Sequence, residues 1–447
     1  MSRAQRACIF PALFLAAVFA IAGCAKDSKD DKIKSSPVVP KTGASQLVSY
    51  CWSPDPLGNL EVQGERVDEL FPIASVSKVM TSFWALKKLG AGAVFTTTIH
   101  LRPVSQTPGL FDLHIEGSRD PYSDQAMFQL VVGRLNLDGV SRIRRLSYDE
   151  NFKFKRNLRG AAATAYLKNS DPNPATVEIQ IKQMLAALAA DYPFLRTKSA
   201  AIGVNLPEAL SFEVAQLKYV PKAEFKPGSY PRKSKYFSSP LLTILKEMNR
   251  NSNNHAATQI FQALGGPEEF KKFMKETLGF SETEILFYNG SGNRLDLADG
   301  KSVYNLATCR AVMKTMQAMR NELSAPTNTL AQVLTVAGRV NPEEPATNID
   351  IYTNQKTSGV LIAKTGTVGP AVTLAGLLVA NTGPLYFSYV HSTIESNEVW
   401  KKAREVIRDH LFKRAENITP GPAIELVPKL FMPFDARCWE QDSTIAY

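Results

Sequence analysis

The stretch Phe71-Pro-Ile-Ala-Ser75-Val-Ser77-Lys78-Val-Met-Thr-Ser-Phe-Trp-Ala-Leu-Lys-Lys-Leu-Gly90 decides how the rest of this chain is read. Proline near its start and glycine at its end bracket a helix between Pro72 and Gly90. Residues three apart share a helical face, so Ser75 and Lys78 lie one above the other. Ser75 falls in the first turn, where backbone N–H groups lack intrahelical partners. That suits a hydroxyl nucleophile whose target carbonyl becomes an oxyanion. Among the serines only Ser75 has a lysine three residues on. About two such spacings are expected by chance in a chain of this length, so the motif gains weight only from partners elsewhere in the chain.

Two later stretches supply partners. From Leu241 to Ile260 a helical pattern breaks into the polar run Asn251-Ser252-Asn253-Asn254-His255 and resumes. Ser252 and Asn254 there project a hydroxyl that can relay a proton and a carboxamide that can hold a peptide group. A second Ser-x-Asn, Ser291-Gly292-Asn293, lies in a glycine-punctuated turn without a helical surround and is set aside as the catalytic pair. The run Val360-Leu-Ile-Ala-Lys364-Thr365-Gly366-Thr367 reads as a strand. At Gly366 the missing side chain lets a substrate backbone come close. An extended peptide then adds along the strand edge, and Lys364 offers a charge to a carboxylate. The copy Lys41-Thr42-Gly43 has no strand character around it. Each piece alone has a plainer reading: Lys364 as a solvated edge lysine, Ser252 and Asn254 as a helix cap.

Taken in order, Ser-x-x-Lys on a helix, Ser-x-Asn between helices and Lys-Thr-Gly on a late strand resemble the set used by penicillin-binding proteins and serine β-lactamases. The long gap from Ser75 to Ser252 resembles class C low-molecular-mass penicillin-binding proteins, the D-Ala-D-Ala carboxypeptidase/endopeptidases of the penicillin-binding protein 4 type. Gly117-Ser-Arg-Asp120-Pro121, Asn289-Gly290-Ser291-Gly292 and Leu374-Ala375-Gly376 are similar to features of that family. The likeness runs from roughly residue 45 to 412 and is thin between about 150 and 235.

The resemblance implies an α/β (α+β) fold: a serine β-lactamase/DD-peptidase-like transpeptidase domain, its antiparallel sheet flanked by helices. Residues 44–95 and 236–412 would form it around one inserted domain, 96–235. The tail, 413–447, carries Phe431, Phe434 and Trp439 and is expected to pack on the body. By the same resemblance Ser75 is the nucleophile, Lys78 its base, Ser252 the proton relay and Asn254 a substrate ligand. Lys364, Thr365, Gly366 and Thr367 line the substrate strand, and the N–H groups of Ser75 and Thr367 hold the oxyanion. Asn289 stands where the family has Asp, and Arg294 is shifted from the expected place. Arg294 and Asp149 are candidates for contacts to a diaminopimelate side chain, with surface ion pairing as the competing reading.

The expected activity is a penicillin-sensitive D-alanyl-D-alanine carboxypeptidase or DD-endopeptidase acting on peptidoglycan peptides, with β-lactams as covalent inhibitors. A serine β-lactamase is the first alternative, although no Glu-x-x-Leu-Asn-type motif lies between Ser75 and Ser252. A silent wall-binding or lactam-sensing lipoprotein is the second. No cofactor or metal is expected: the 5 histidines are scattered without ligand spacing.

The whole composition agrees with an exported globular protein. With 447 residues, 44% hydrophobic and 21% charged, the chain can bury two or three domain cores. Arg3 and Arg6 precede a short apolar run ending Ile21-Ala22-Gly23-Cys24. Residues 1–23 therefore read as an export signal, and the junction resembles a bacterial lipobox with Cys24 as the lipidated residue. Residues 24–43 form a solvated tether, which predicts a periplasmic protein held through lipid, preferentially at the outer membrane. The net charge of +10 then suits anionic wall peptides and lipid head groups, not nucleic acid. Of the 5 cysteines, Cys51, Cys309 and Cys438 stay in the folded part, enough for one internal disulfide. A Cys51–Cys438 clasp is conceivable; three reduced, partly buried cysteines are the preferred expectation.

Overall fold

The computed structural model describes residues 47–58, 62–158, 171–323, 329–339, 347–425 and 431–441. The expected signal, Cys24 and the tether lie outside the described residues.

The chain enters through strand β1 (Leu47–Ser53) and the short β2 (Gln63–Glu65), then turns into helix α1 (Ser77–Leu89). It then builds a second sheet. That segment comprises β3 (Thr96–Pro103), β4 (Leu110–Glu116), α2 (Gln125–Leu137) and β5 (Arg142–Tyr148). It continues with α3 (Pro174–Ala186), α4 (Tyr192–Ala201), β6 (Glu213–Tyr219) and β7 (Arg232–Ser238). The return path carries α5 (Leu241–Arg250), α6 (Asn254–Ala263), α7 (Gly266–Leu278) and α8 (Cys309–Glu322). Strands β8 (Thr335–Val336), β9 (Leu361–Val368), β10 (Ala371–Ala380) and β11 (Gly383–Ser392) come next. Helix α9 (Asn397–Ala415) and strand β12 (Phe434–Gln441) complete the described chain.

The first sheet has the order β8-β9-β10-β11-β1-β2, with every neighbouring pair antiparallel. Its central strand β10 is buried along its whole length, which fits a run in which Thr373 is the one polar side chain. Helices α8 and α9 pack on this sheet. The second sheet runs β12-β7-β3-β4-β5-β6. Its β4–β5 and β5–β6 pairs are parallel, because α2 and then α3 with α4 carry the chain back between them.

The tail takes a more specific place than packing on the body. Strand β12 pairs with β7 and extends the second sheet, and Met432, Phe434 and Cys438 enter that sheet's core. Phe431 packs instead with the larger core, where its ring meets that of Tyr122.

Helix α1 is enclosed on every side: Ser77 through Leu86 are all buried, the polar Ser77, Lys78, Thr81 and Ser82 among them. Phe83 and Trp84 meet the rings of Phe261, Phe270 and Phe273 from α6 and α7. This central position takes Lys78 out of water along with its neighbours.

The cysteine expectation is corrected. Cys51 on β1 and Cys309 at the start of α8 form a disulfide across 258 residues, and Cys438 is a free, buried thiol. The reason is topological: β1 closes the sheet beside β11, and α8 lies against both. Cys438 meanwhile belongs to a different core. Replacing Cys51 and Cys309 together by serine should lower the unfolding free energy by about 2–4 kcal/mol. Reductant should lower the melting temperature of the native chain but not that of the double variant. Equal melting temperatures for the native chain with and without reductant would contradict the pairing.

Candidate active site

The site forms where the start of α1 meets β9. Residues Ala74–Val76 make a 3-10 turn ahead of α1, so Ser75 sits in that turn and Lys78 in the first turn of the helix proper. Lys78 is fully buried, and its Nζ contacts three acceptors: Ser75 Oγ at 2.9 Å, Asn254 Oδ1 at 2.7 Å and the Ser291 carbonyl at 3.0 Å. The last two oxygens can only accept here, so each fixes one N–H of the lysine. The remaining position on nitrogen points at the Ser75 hydroxyl. As a neutral amine, Lys78 therefore presents its lone pair to that hydroxyl's proton.

Burial drives the pKa of Lys78 well below the ordinary lysine range, and the charge of Lys364 lowers it further. Lys364 is itself buried, donates to Ser252 Oγ at 3.0 Å and to the Thr365 carbonyl at 2.8 Å, and is pushed down to about 7 by desolvation. The structure thus brings together Ser75, Lys78, Ser252, Asn254 and Lys364 from three separated stretches.

Ser252 occupies the bend between α5 and α6 with φ at 51°, and Asn254 opens α6. The side chain of Asn253 caps α6 at the Ala256 N–H and donates to the Leu158 carbonyl, which ties the bend to the segment after β5. Ala74, just before Ser75, also lies in the left-handed region with φ at 46°. A non-glycine residue there stores about 1–3 kcal/mol of strain unless its surroundings hold it. They do. The Asn305 carbonyl accepts the Ile73 N–H, and Thr373 Oγ1 donates to the Ile73 carbonyl at 3.1 Å.

Two glycines allow the close approach. A Cβ on Gly366 would stand 2.9 Å from the Ser75 nitrogen and 2.9 Å from Ala74 Cβ. Gly366 thus admits the turn carrying Ser75 against β9, and it also lines the cleft. A Cβ on Gly292 would stand 1.8 Å from the Ala74 carbonyl, and Gly292 has φ at 73°.

Strand β8 is two residues long and pairs only with Ala363 and Ile362. Among the described residues, the edge of β9 from Lys364 onward therefore has no strand neighbour on that side. Beside it lies a cleft of about 480 Å³. Its lining includes Ser75, Ser252, Asn254, Thr365, Gly366 and Thr367, all expected from sequence.

Other expectations are met differently. The loop Asn289–Asn293, set aside as a catalytic pair, nonetheless supplies the Ser291 carbonyl to Lys78. Asn289 accepts from the Ser291 and Gly292 N–H groups and donates from Nδ2 to the Asn293 carbonyl at 2.9 Å. A carboxylate could not make that donation, which accounts for asparagine at this position. Arg294 lines the cleft and forms an ion pair with Asp296 at 3.0 Å. Asp149 is not brought to the cleft. It is 1% exposed, and its Oδ1 accepts from the N–H groups of Gly117, Asn151 and Phe152, closing a turn after β5.

Tyr304, Asn348, Glu395, Asn397, Trp400 and Arg404 also line the cleft, and nothing in the sequence pointed to them. Asn397, Trp400 and Arg404 recur three and four residues apart on α9, a spacing legible only once α9 is known to border the site.

Chain comparisons agree with this geometry. The model of the D-Ala-D-Ala carboxypeptidase 3 (S13) family matches residues 232–413. The crystal structure of Bd3459, a predatory endopeptidase from Bdellovibrio bacteriovorus, is 31% identical to this chain with a TM-score of 0.77, covering 89% of this chain and 99% of that one. This chain belongs to the S13 family. A second predatory endopeptidase, Bd0816 from the same organism, is also 31% identical, with a TM-score of 0.77 and coverage of 88% and 100%. Penicillin binding protein 4 from Haemophilus influenzae shares the fold at 14% identity and a TM-score of 0.55, over 81% of this chain and 96% of that one. No curated protein sequence matches.

The buried lysine of this S13 member carries a pH signature. A folded pKa of about 7 for Lys364, against 10.5 when unfolded, means that only the unfolded chain holds that proton between these values. Raising pH through the window therefore favours the folded state. The stability of the native chain relative to Lys364→Met should be constant below about pH 7 and should climb above it, measured by thermal melting across pH. A difference that stays flat from about pH 6 to 10 would contradict a depressed Lys364.

Proposed function

We propose that this chain is a penicillin-sensitive serine DD-carboxypeptidase/endopeptidase that cleaves peptidoglycan peptides through an acyl-enzyme on Ser75. The observation that carries this reading is Lys78 Nζ at 2.9 Å from Ser75 Oγ, with both hydrogens of the neutral amine directed to Asn254 and Ser291.

Ser75 Oγ attacks the carbonyl carbon between two D-residues while its proton passes to neutral Lys78. The oxyanion is stabilised by the N–H groups of Ser75 and Thr367; losing one such donor typically costs about a hundred- to a thousandfold in rate. Ser252, held by Lys364, gives its proton to the departing amine as the C–N bond breaks and is reprotonated with the proton that Lys78 took from Ser75. That leaves Lys78 neutral to take the proton of the incoming water and return it to Ser75 Oγ. The Nδ2 of Asn254, whose Oδ1 is engaged by Lys78, holds the acyl-side peptide group. Lys364 and Thr365 attract the terminal carboxylate. Water then attacks the ester, regenerates the Ser75 hydroxyl and releases the acid. The β9 edge, open from Lys364 onward, gives an extended peptide a place to pair.

The relatives support the same substrate. Bd3459 is described as a predatory peptidoglycan endopeptidase, and another of its structures as penicillin G acylated. When the leaving amine belongs to a second stem peptide, the chemistry opens a cross-link; when it is free D-alanine, it trims a terminus.

Placement at the cell wall rests on separate features. The Cys51–Cys309 disulfide fits an oxidising compartment outside the cytoplasm. Among the described residues no helix is long and apolar enough to cross a membrane. Export through residues 1–23 and acylation of Cys24 would then supply the anchor.

Incubation with penicillin G and then peptide mass spectrometry should place the adduct on the peptide carrying Ser75, and Ser75→Ala should abolish it. Purified cross-linked muropeptide dimers should fall to monomers with the native chain. An unmodified Ser75 peptide, or intact dimers and termini together, would refute the proposal.

A further inference from the structure

Three two-residue strands, Phe71–Pro72, Leu306–Ala307 and Ile285–Leu286, form a small sheet with Leu306–Ala307 in the middle. One outer strand leads directly into the turn of Ser75. The other leads into the 289–293 loop, whose Ser291 carbonyl accepts from Lys78. Just ahead of the middle strand stands Asn305, which is fully buried and bonds to both halves of the site. Its carbonyl accepts the Ile73 N–H at 3.2 Å. Its Oδ1 accepts the N–H groups of Tyr288 at 2.8 Å and Asn289 at 3.3 Å, and its Nδ2 donates to the Asn289 carbonyl at 2.6 Å. Two donors and one acceptor around a single amide fix which end is oxygen; leucine would offer neither contact, and aspartate would lose the donor.

Packing bears on the 289–293 loop from two sides. A Cβ on Gly290 would stand 2.3 Å from the Ala257 carbonyl of α6, the helix that Asn254 opens. On the other side Gly292 lies as closely against Ala74. Such contacts stop the loop from moving inward, but they do not stop it from withdrawing. Attractive contacts do that: Asn305 at residues 288 and 289, and Thr81 Oγ1, which donates to the Gly290 carbonyl at 2.8 Å. The consequence falls on Lys78. A neutral amine with two fixed acceptors has one direction left for its lone pair. With the Ser291 carbonyl withdrawn, the amine turns about its bond to Asn254, and the lone pair leaves the Ser75 hydroxyl.

We propose that Asn305 is a positioning residue for acyl transfer: it holds the Ser75 turn through its carbonyl and the Ser291 loop through its amide, and so aims the Lys78 amine at the Ser75 hydroxyl. The proposal rests on the acyl-enzyme reading of Ser75. Asn305 is not among the residues that line the cleft. Its loss therefore slows ester formation and leaves the first, non-covalent binding of the acyl donor as it was.

The test follows acylation by penicillin G after rapid mixing, which separates the dissociation constant of the first complex from the rate constant of ester formation. Only molecules that take up penicillin G contribute to that rate constant, so a partly unfolded preparation does not obscure it. Asn305→Leu should form the ester about tenfold to a hundredfold more slowly, with an unchanged dissociation constant. Asn305→Asp keeps the acceptor and turns an oxygen toward the Asn289 carbonyl; it should show the same split, and it serves where the leucine variant does not fold. For comparison, Asn136→Leu removes an amide that braces the second sheet at Val140 and Ser211. That variant should melt at a lower temperature and keep the native rate constant. A native rate constant in either Asn305 variant would overturn the assignment. So would a loss confined to the fraction of molecules acylated, or one accounted for by weaker first binding. A native chain that takes no penicillin G on Ser75 would instead overturn the acyl-enzyme reading beneath it.

Discussion

The site depends on a lysine amine placed in a hydrophobic core. Water favours Lys78 as an ammonium; burial in the core disfavours that form. The nearby Lys364 acts in the same direction, since two adjacent buried ammonium groups repel. Two fixed acceptors then orient what is left, so that the basic position on nitrogen meets Ser75. The burial that packs α1 also lowers the pKa of Lys78 beside Ser75.

Close approach is the second constraint. Bringing β9 against the turn before α1 requires Gly366, and bringing the 289–293 loop against Ala74 requires Gly292. The strained backbone at Ala74 and Ser252 is held from several sides, as strained residues at functional sites must be. Among the described residues, the brevity of β8 leaves the edge of β9 without a strand neighbour from Lys364 onward. The second sheet contributes through the Asn253–Leu158 bond, which braces the bend carrying Ser252 and Asn254.

Much of this was legible in the sequence for a physical reason. Ser75 and Lys78 lie three apart across a 3-10 turn and the start of α1, a segment with clear boundary residues, and Lys364 to Thr367 stand on a strand with strong β character. Local periodicity and short motifs carry that information. What escaped notice is set by contacts between distant segments. The Cys51–Cys309 pair depends on α8 crossing β1. The role of the Ser291 carbonyl is a backbone property that no residue type announces. Glu395 and Arg404 border the cleft because α9 packs on the sheet, and nothing in their spacing marks them out. Asp149 resembled a family acid by its neighbours in sequence, but three backbone N–H groups hold it inside a turn. The tail's aromatic residues signalled packing, yet only strand pairing identified β7 as its partner.

Burial and the nearby Lys364 disfavour the ammonium form of Lys78 beside Ser75, and the proposed acyl transfer depends on that. Lysine labelled with carbon-13 at Cε, with the Lys78 signal assigned by comparison with Lys78→Met, reports that charge directly through its chemical shift as pH is varied. The expected Lys78 resonance titrates well below the ordinary lysine range, accompanied by that of Lys364. A Lys78 signal that stays in the ammonium position up to the pH at which surface lysines titrate would contradict this arrangement.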